Sequence, residues 1–161
     1  MNKKLKFFLL FCFFAISAPL LKAQFIAIPD SNFAYWLNVN IPAAMNGNLM
    51  DTTHVQVTTR TIVTLKNKAI SSLEGIQYFD ALQQLFCDSN LLVTLPVLPN
   101  TVNYLTCDYN QLISLPVLPN SLRALICQNN YITSLGALPD SLTLLICQGN
   151  QWETVHSIDK Q

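Results

Sequence analysis

The chain predicts a solenoid of short stacked turns, with a parallel β-sheet on the concave side, an extended, polyproline-like convex side and a helical N-terminal cap. Three observations predict it. From Leu82 onward the sequence repeats every 20 residues, which places Cys87, Cys107, Cys127 and Cys147 in one column and Asn90, Asn110, Asn130 and Asn150 in another. Around them apolar residues hold fixed offsets, so each unit reads L-x-x-L-x-C-x-x-N-x-L-x-x-L, as in Leu82, Leu85, Cys87, Asn90, Leu92 and Leu95. A stretch with the spacing of an amphipathic helix stands just before the array. So short a unit buries its apolar face only against its neighbours, and several must stack.

Residues 1–23 carry Lys3, Lys4 and Lys6, then the apolar run Phe7 to Ile16, then a stretch with small residues closing on Leu21-Lys22-Ala23. That order predicts a secretory signal peptide cleaved after Ala23. Pro19 and Lys22 interrupt the run of roughly 20 apolar residues that a bilayer span requires, so no stable membrane insertion is expected after signal cleavage. Cys12 follows Phe11 where lipid attachment would want a small residue, and reads as part of the apolar run. Removing the segment turns a neutral chain into one with five basic and nine acidic residues, a formal charge of −4. With no basic cluster in the sequence, nucleic acid and anionic membranes are not expected as partners. The remaining length suits one domain and leaves no room for a repeat array plus a separate catalytic domain.

Residues 24–59 read as the cap. Asp30, after Pro29, is placed to accept the first free backbone donors of a helix, and Phe33, Trp36, Leu37 and Ile41 recur on one face until Pro42 ends it. Val55 and Val57 alternate with polar neighbours and predict a short strand into the first turn.

Residues 60–161 form the array of about five repeats. In the first, Val63, Leu65, Ile70 and Leu73 match Leu85, Cys87, Leu92 and Leu95 at an offset of 22 rather than 20, with Lys68 at the asparagine position. In every unit the segment around the cysteine alternates in, out, in, so stacking gives a parallel sheet with one residue set buried. The asparagine turns the chain, and its amide is suited to bond the backbone of its own and adjacent turns. Leu95-Pro96-Val97-Leu98-Pro99, repeated at Leu115 to Pro119, excludes a helix on the return side, because each proline removes a donor and pushes its predecessor toward extended geometry.

The repeat pattern is that of a leucine-rich repeat. The 20-residue period with the return Leu115-Pro116-Val117-Leu118-Pro119-Asn120-Ser121-Leu122 resembles the short repeats of bacterial leucine-rich-repeat effector proteins. Ile28-Pro29-Asp30-Ser31-Asn32-Phe33 and Ile70-Ser71-Ser72-Leu73-Glu74-Gly75-Ile76 are similar to the cap and first repeat of secreted, internalin-like bacterial surface proteins. The resemblance implies a leucine-rich repeat solenoid used as a binding scaffold, and it specifies no ligand.

No metal is expected at the cysteines. One inward position per turn puts the sulfurs in a line with steps of roughly 4.8 Å, which does not close into a tetrahedral site. Disulfides between neighbouring turns fit the Cα spacing but are disfavoured by parallel side-chain vectors; buried free thiols, acting as small hydrophobes, are the expectation. Asn46-Gly47-Asn48 with Asp51 offers too few oxygen ligands for calcium and reads as a turn. His54 and His156 have no partner implied by the pattern, no nucleophile and base pair up, and no cofactor is expected.

The candidate binding face lies on the outward positions of the strands. One column holds Ile62, Gln84, Tyr104, Ala124 and Leu144; the next holds Thr64, Phe86, Thr106, Ile126 and Ile146. A third column, Lys66, Asp88, Asp108, Gln128 and Gln148, is polar and slightly acidic. An apolar strip with a polar rim marks a protein or peptide interface, although β propensity alone also favours such residues in strands. Phe86, Tyr104, Ile126, Leu144 and Ile146, with Asp88 and Asp108, are therefore the predicted site of a non-catalytic, exported module that binds a protein or peptide ligand. The alternative is an assembly module pairing through its C-terminal sheet edge beyond Leu145 to Cys147, where only Trp152, Val155 and Ile158 are available as cover.

Overall fold

The computed structural model describes residues 24–152. The expected signal segment and the tail residues Val155, His156 and Ile158 lie outside the described residues.

The cap is more than a helix. Phe25–Ala27 (β1), Met45–Asn46 (β2) and Leu49–Asp51 (β3) form an antiparallel sheet in the order β1-β3-β2. β2 and β3 meet across Gly47-Asn48, and of these two only Gly47 has a positive φ (+63°), the conformation a two-residue hairpin with glycine first requires. Ser31–Asn40 (α1) starts where Asp30 Oδ1 accepts the N–H of Phe33 at 2.8 Å, and it stops at Ile41, ahead of a 3₁₀ turn over Pro42–Ala44. Phe33, Ala34, Trp36 and Leu37 of α1 are buried.

Asp30 also joins cap to array. Its Oδ2 accepts from both the N–H and the Oγ–H of Ser71, each at 2.7 Å. Burial pushes the Asp30 carboxyl up, but the hydrogen bonds from Phe33, Ser71 and Ser72 outweigh it and hold the group below the usual carboxylate range.

Val55–Thr58 is one turn of α-helix (α2), not the strand that alternation predicted. His54 Nδ1 accepts the N–H of Gln56 at 3.1 Å and caps the turn, and Thr59 Oγ1 donates to the Val55 carbonyl at 2.6 Å, closing it. Only Val57 enters the core; Val55 stays exposed.

The array follows as Ile62–Thr64 (β4), Gln84–Phe86 (β5), Tyr104–Thr106 (β6), Ala124–Ile126 (β7) and Leu144–Ile146 (β8), a five-stranded parallel sheet in chain order. The register aligns Val63, Leu85, Leu105, Leu125 and Leu145, the offset of 22 and then 20 that the sequence carries. Leu85, Leu105 and Leu125 are fully buried, as are Leu82, Val102 and Leu122 one step earlier and Leu92, Leu112 and Ile132 after the corner.

On the convex side the proline-bearing returns have no helix. The first return is two residues longer and holds no proline, and there Ile76–Tyr78 folds into a 3₁₀ turn entered through Gly75 at φ +111°. A Cβ at Gly75 would sit 2.5 Å from Ile28 Cδ1, so glycine lets the cap close onto the first repeat.

Candidate binding surface and its supporting ladders

Three ladders hold the strands in register, and the concave side chains stand on them. The asparagine ladder is the most heavily bonded. Asn110 Nδ2 donates to the carbonyls of Cys87 (3.0 Å) and Cys107 (3.1 Å), while its Oδ1 accepts the N–H of Leu92 at 3.0 Å. Asn130 repeats this with Cys107, Cys127 and Leu112, and Asn150 with Cys127, Cys147 and Ile132. Asn90 opens the series, donating to Leu65 and Cys87 and accepting from Lys68 and Ile70. Each side chain thus satisfies polar backbone groups of two successive turns.

The cysteines form the second ladder. Cys87, Cys107 and Cys127 are buried free thiols and Cys147, in the last turn, is a half-buried one. Cys87 Sγ lies 3.2 Å from the Thr106 carbonyl, to which it donates. Burial raises all three inner thiols, with neighbouring thiols adding for Cys107; Cys127 is pushed up to about 12 from the ordinary 9.0. Among the described residues no group of three or more His, Cys, Asp or Glu is placed to hold a metal ion.

The third ladder escaped the sequence reading. Thr101 Oγ1 lies within hydrogen-bond reach of the Asp80 and Leu82 carbonyls, Ser121 Oγ of Asn100 and Val102, and Ser141 Oγ of Asn120 and Leu122, all at 2.6–2.9 Å. The hydroxyls recur at the same 20-residue step as the cysteines, a visible signal that a general turn propensity concealed.

The thiol ladder carries a prediction. The inner cysteines of the native protein should resist alkylation even at pH 9.5 and react fully once unfolded. Between pH 9 and about 12 the unfolded thiols ionise while the folded ones keep their protons, so stability should fall as pH rises through that window. Cys107→Ser places a hydroxyl in an apolar stack and should cost about 1–3 kcal/mol, with Cys107→Ala costing less. Rapid native labelling, or disulfides in a non-reducing digest, would refute the free-thiol assignment.

On the concave face the sheet brings Phe86 and Tyr104 together, ring centroids 5.6 Å apart. Phe86, Tyr104, Ile126 and Ile146 are half-buried and Leu144 is 42% exposed. The strip is narrower than the sequence columns suggest, because Thr106 and Ala124, small residues between larger ones, are covered. Lys66 reaches across it: its ammonium lies 5.1 Å from the Phe86 ring centroid and 3.2 Å from Asp88 Oδ1, which also accepts from Thr106 Oγ1 at 2.9 Å. Asp108, one turn on, is raised above the usual carboxylate range, by burial first and by the charge of Asp88 as well.

A parallel sheet with inward leucines, an asparagine ladder at the corner and extended returns defines a leucine-rich-repeat solenoid. Among solved structures the chain is similar to the functional domain of InlJ from Listeria monocytogenes, described as including a cysteine ladder: TM-score 0.68 and 32% identity, covering 81% of this chain and 30% of that one. It is also similar to YopM from Yersinia enterocolitica WA-314, 38% identical over 44% of this chain and 16% of that one, with a TM-score of 0.44. The chain therefore spans less than a third of either protein. No family model and no curated protein matches it.

Proposed function

We propose that this protein is an exported, non-catalytic module that binds a protein or peptide partner through the concave face of its repeats. Residues 1–23 serve as a signal peptide, residues 24–59 as the cap and residues 60–161 as the array. The reading is supported above all by one observation: Phe86, Tyr104, Ile126, Leu144 and Ile146 keep partly exposed apolar surface on consecutive strands, opposite the side that buries the leucines. Asp88 and Asp108 give that strip a polar rim. No helix among the described residues is long and apolar enough to cross a membrane. A second reading, assembly through the edge at β8, draws on Leu142, Leu145 and Cys147, which are only half-buried where their equivalents in earlier turns are fully covered.

Phe86→Ala and Tyr104→Ala should each weaken a partner recovered on the immobilised protein by about 2 kcal/mol, roughly thirtyfold in Kd, while the array stays folded despite the lost ring packing between the two. Val117→Ser, on the convex side and 89% exposed, is the control and should change nothing. Equal losses from the concave and convex changes would move the site away from the strip, to the loops or the β8 edge.

A further inference from the structure

The edge of the array that faces the cap is open. In a parallel ladder alternate residues bond to opposite neighbours. The N–H groups of Gln84, Tyr104, Ala124 and Leu144 each donate to the preceding turn at 3.0–3.1 Å. Ile62, their counterpart in β4, has no preceding turn. β4 spends the N–H groups of Leu65 and Asn67 on the Phe86 and Asp88 carbonyls (2.7 and 3.1 Å), so the N–H and C=O of Ile62 and Thr64 point the other way, toward the cap. Among the described residues nothing pairs with them there.

Space accompanies the unpaired edge. A cavity of about 370 Å³ lies between α1 and the first repeat, walled by Tyr35, Trp36 and Val39 on one side and Thr64, Lys66 and Lys68 on the other. A second, of about 400 Å³, lies at the start of the same strand, lined by Thr59, Arg60, Ile62 and Gln56. The Gln56 Oε1 is buried without a hydrogen-bond partner.

The charge of the groove is the reverse of the chain's. Arg60, Lys66 and Lys68 are three of the four basic residues within 24–152, the fourth being Arg123, yet the same span holds seven Asp and Glu. No carboxylate lines either cavity. Arg60 is fixed by a 3.0 Å bond to the Asn40 carbonyl and lies 5.7 Å from the Trp36 ring centroid, whereas Lys68 is exposed and forms no ion pair among the described residues. Spread over nine positions of sequence, these residues form no basic run; the cap gathers them along one edge.

We propose that this groove seats an extended, acidic segment of a partner protein, which adds to the sheet as a further strand outside β4. The backbone row of Ile62 and Thr64 supplies main-chain pairing, the cavities accept alternate side chains, and Lys68 and Arg60 select carboxylates, the Lys66 ammonium being already paired with Asp88 at 3.2 Å. A second copy of the chain fits poorly, because a two-fold axis at this edge would bring the cationic cluster against itself. The site takes in Ile62, Thr64 and Lys66, the β4 members of the concave columns, but none of Phe86, Tyr104, Ile126, Leu144 and Ile146, and it stands whether or not that strip binds anything.

The test is selection of a random decapeptide display library on the purified protein. Recovered peptides should carry an excess of Asp and Glu and bind more weakly as salt rises. Lys68→Glu, at an exposed position that leaves the core alone, should weaken them by about tenfold or more through like-charge repulsion. Ile126→Ala, on the concave strip, should leave them unchanged. The amide hydrogens of Ile62 and Thr64 should exchange more slowly in the peptide complex than in the free protein. Recovery of no peptides, or of peptides without acidic bias, overturns the proposal, as does equal affinity for Lys68→Glu. Unchanged exchange at Ile62 and Thr64 overturns strand addition. Displacement by an oligothymidylate as readily as by peptide would make the groove a general polyanion site and overturn the assignment to a protein segment. Loss with Ile126→Ala but not with Lys68→Glu would overturn the groove while supporting the concave reading.

Discussion

Asn110→Ala should cost about 1–3 kcal/mol of folding free energy, the penalty for leaving one buried polar group unsatisfied. The amide sits at the centre of the array, 7% exposed, and its loss orphans the buried Leu92 N–H, whereas the Cys87 and Cys107 carbonyls each keep a second donor, Asn90 and Asn130 respectively. Asn110→Asp should do no better: the acceptor toward Leu92 survives, but a carboxylate oxygen then faces two carbonyls. A urea titration read by circular dichroism measures the loss. Asn150→Ala is the internal comparison, because Asn150 stands in the last turn where its site is already half open, and the cost there should be clearly smaller. A loss at Asn110 below about 0.5 kcal/mol, the scatter of ordinary surface substitutions, would mean that water replaces the ladder and that the corner is held by packing alone.

Leu105→Ala should cost about 2–5 kcal/mol, the range for deleting a buried leucine when the surroundings relax only in part. Leu105 is fully buried in β6, flanked by Leu85 and Leu125 in the register, so the cavity weakens packing toward two neighbouring turns at once. In a quasi-one-dimensional array stability is close to a sum of unit and interface contributions, and a central defect therefore reaches further than a terminal one. Leu145→Ala, at the half-buried equivalent in β8, should cost less than half as much. Thermal melts of the two variants, with the parent chain alongside, decide this. Matching losses would show that the last turn is as tightly packed as the middle one and that something covers it in solution.

The periodic part of the fold was legible because repetition removes ambiguity. One unit with Leu85 in and Phe86 out would be a weak strand signal; five in register leave a single way to bury every leucine, and the strands appear where that register puts them. The cap was legible only in part. Asp30 and Pro42 bracket α1 because capping and ring chemistry act locally, over one turn. Val55 and Val57 were misassigned, since two β-branched residues two apart suit a strand or a helical turn alike, and His54 decided for the turn through a side-chain bond that no hydrophobic pattern records. β1 and β3 were missed for a related reason: strands of three residues paired across more than 20 positions leave little periodicity to read.

The candidate surface divides the same way. The sequence by itself determined which residues face out of the sheet, because side chains alternate along a strand and the leucines and cysteines claim the other side. It also determined the composition of the asparagine and cysteine columns. Only the tertiary structure decided how much of the outward face remains open, burying Thr106 and Ala124 between larger neighbours and laying Lys66 over Phe86. Only the tertiary structure, again, placed the unpaired edge of β4 beside α1 and drew Arg60, Lys66 and Lys68 to it. The physical reason is range. Alternation, capping and repeat spacing are set by bonds within a few residues, whereas exposure and local charge depend on which distant segments pack together, and the cap, being unique, offers no second copy of itself from which that packing could be read.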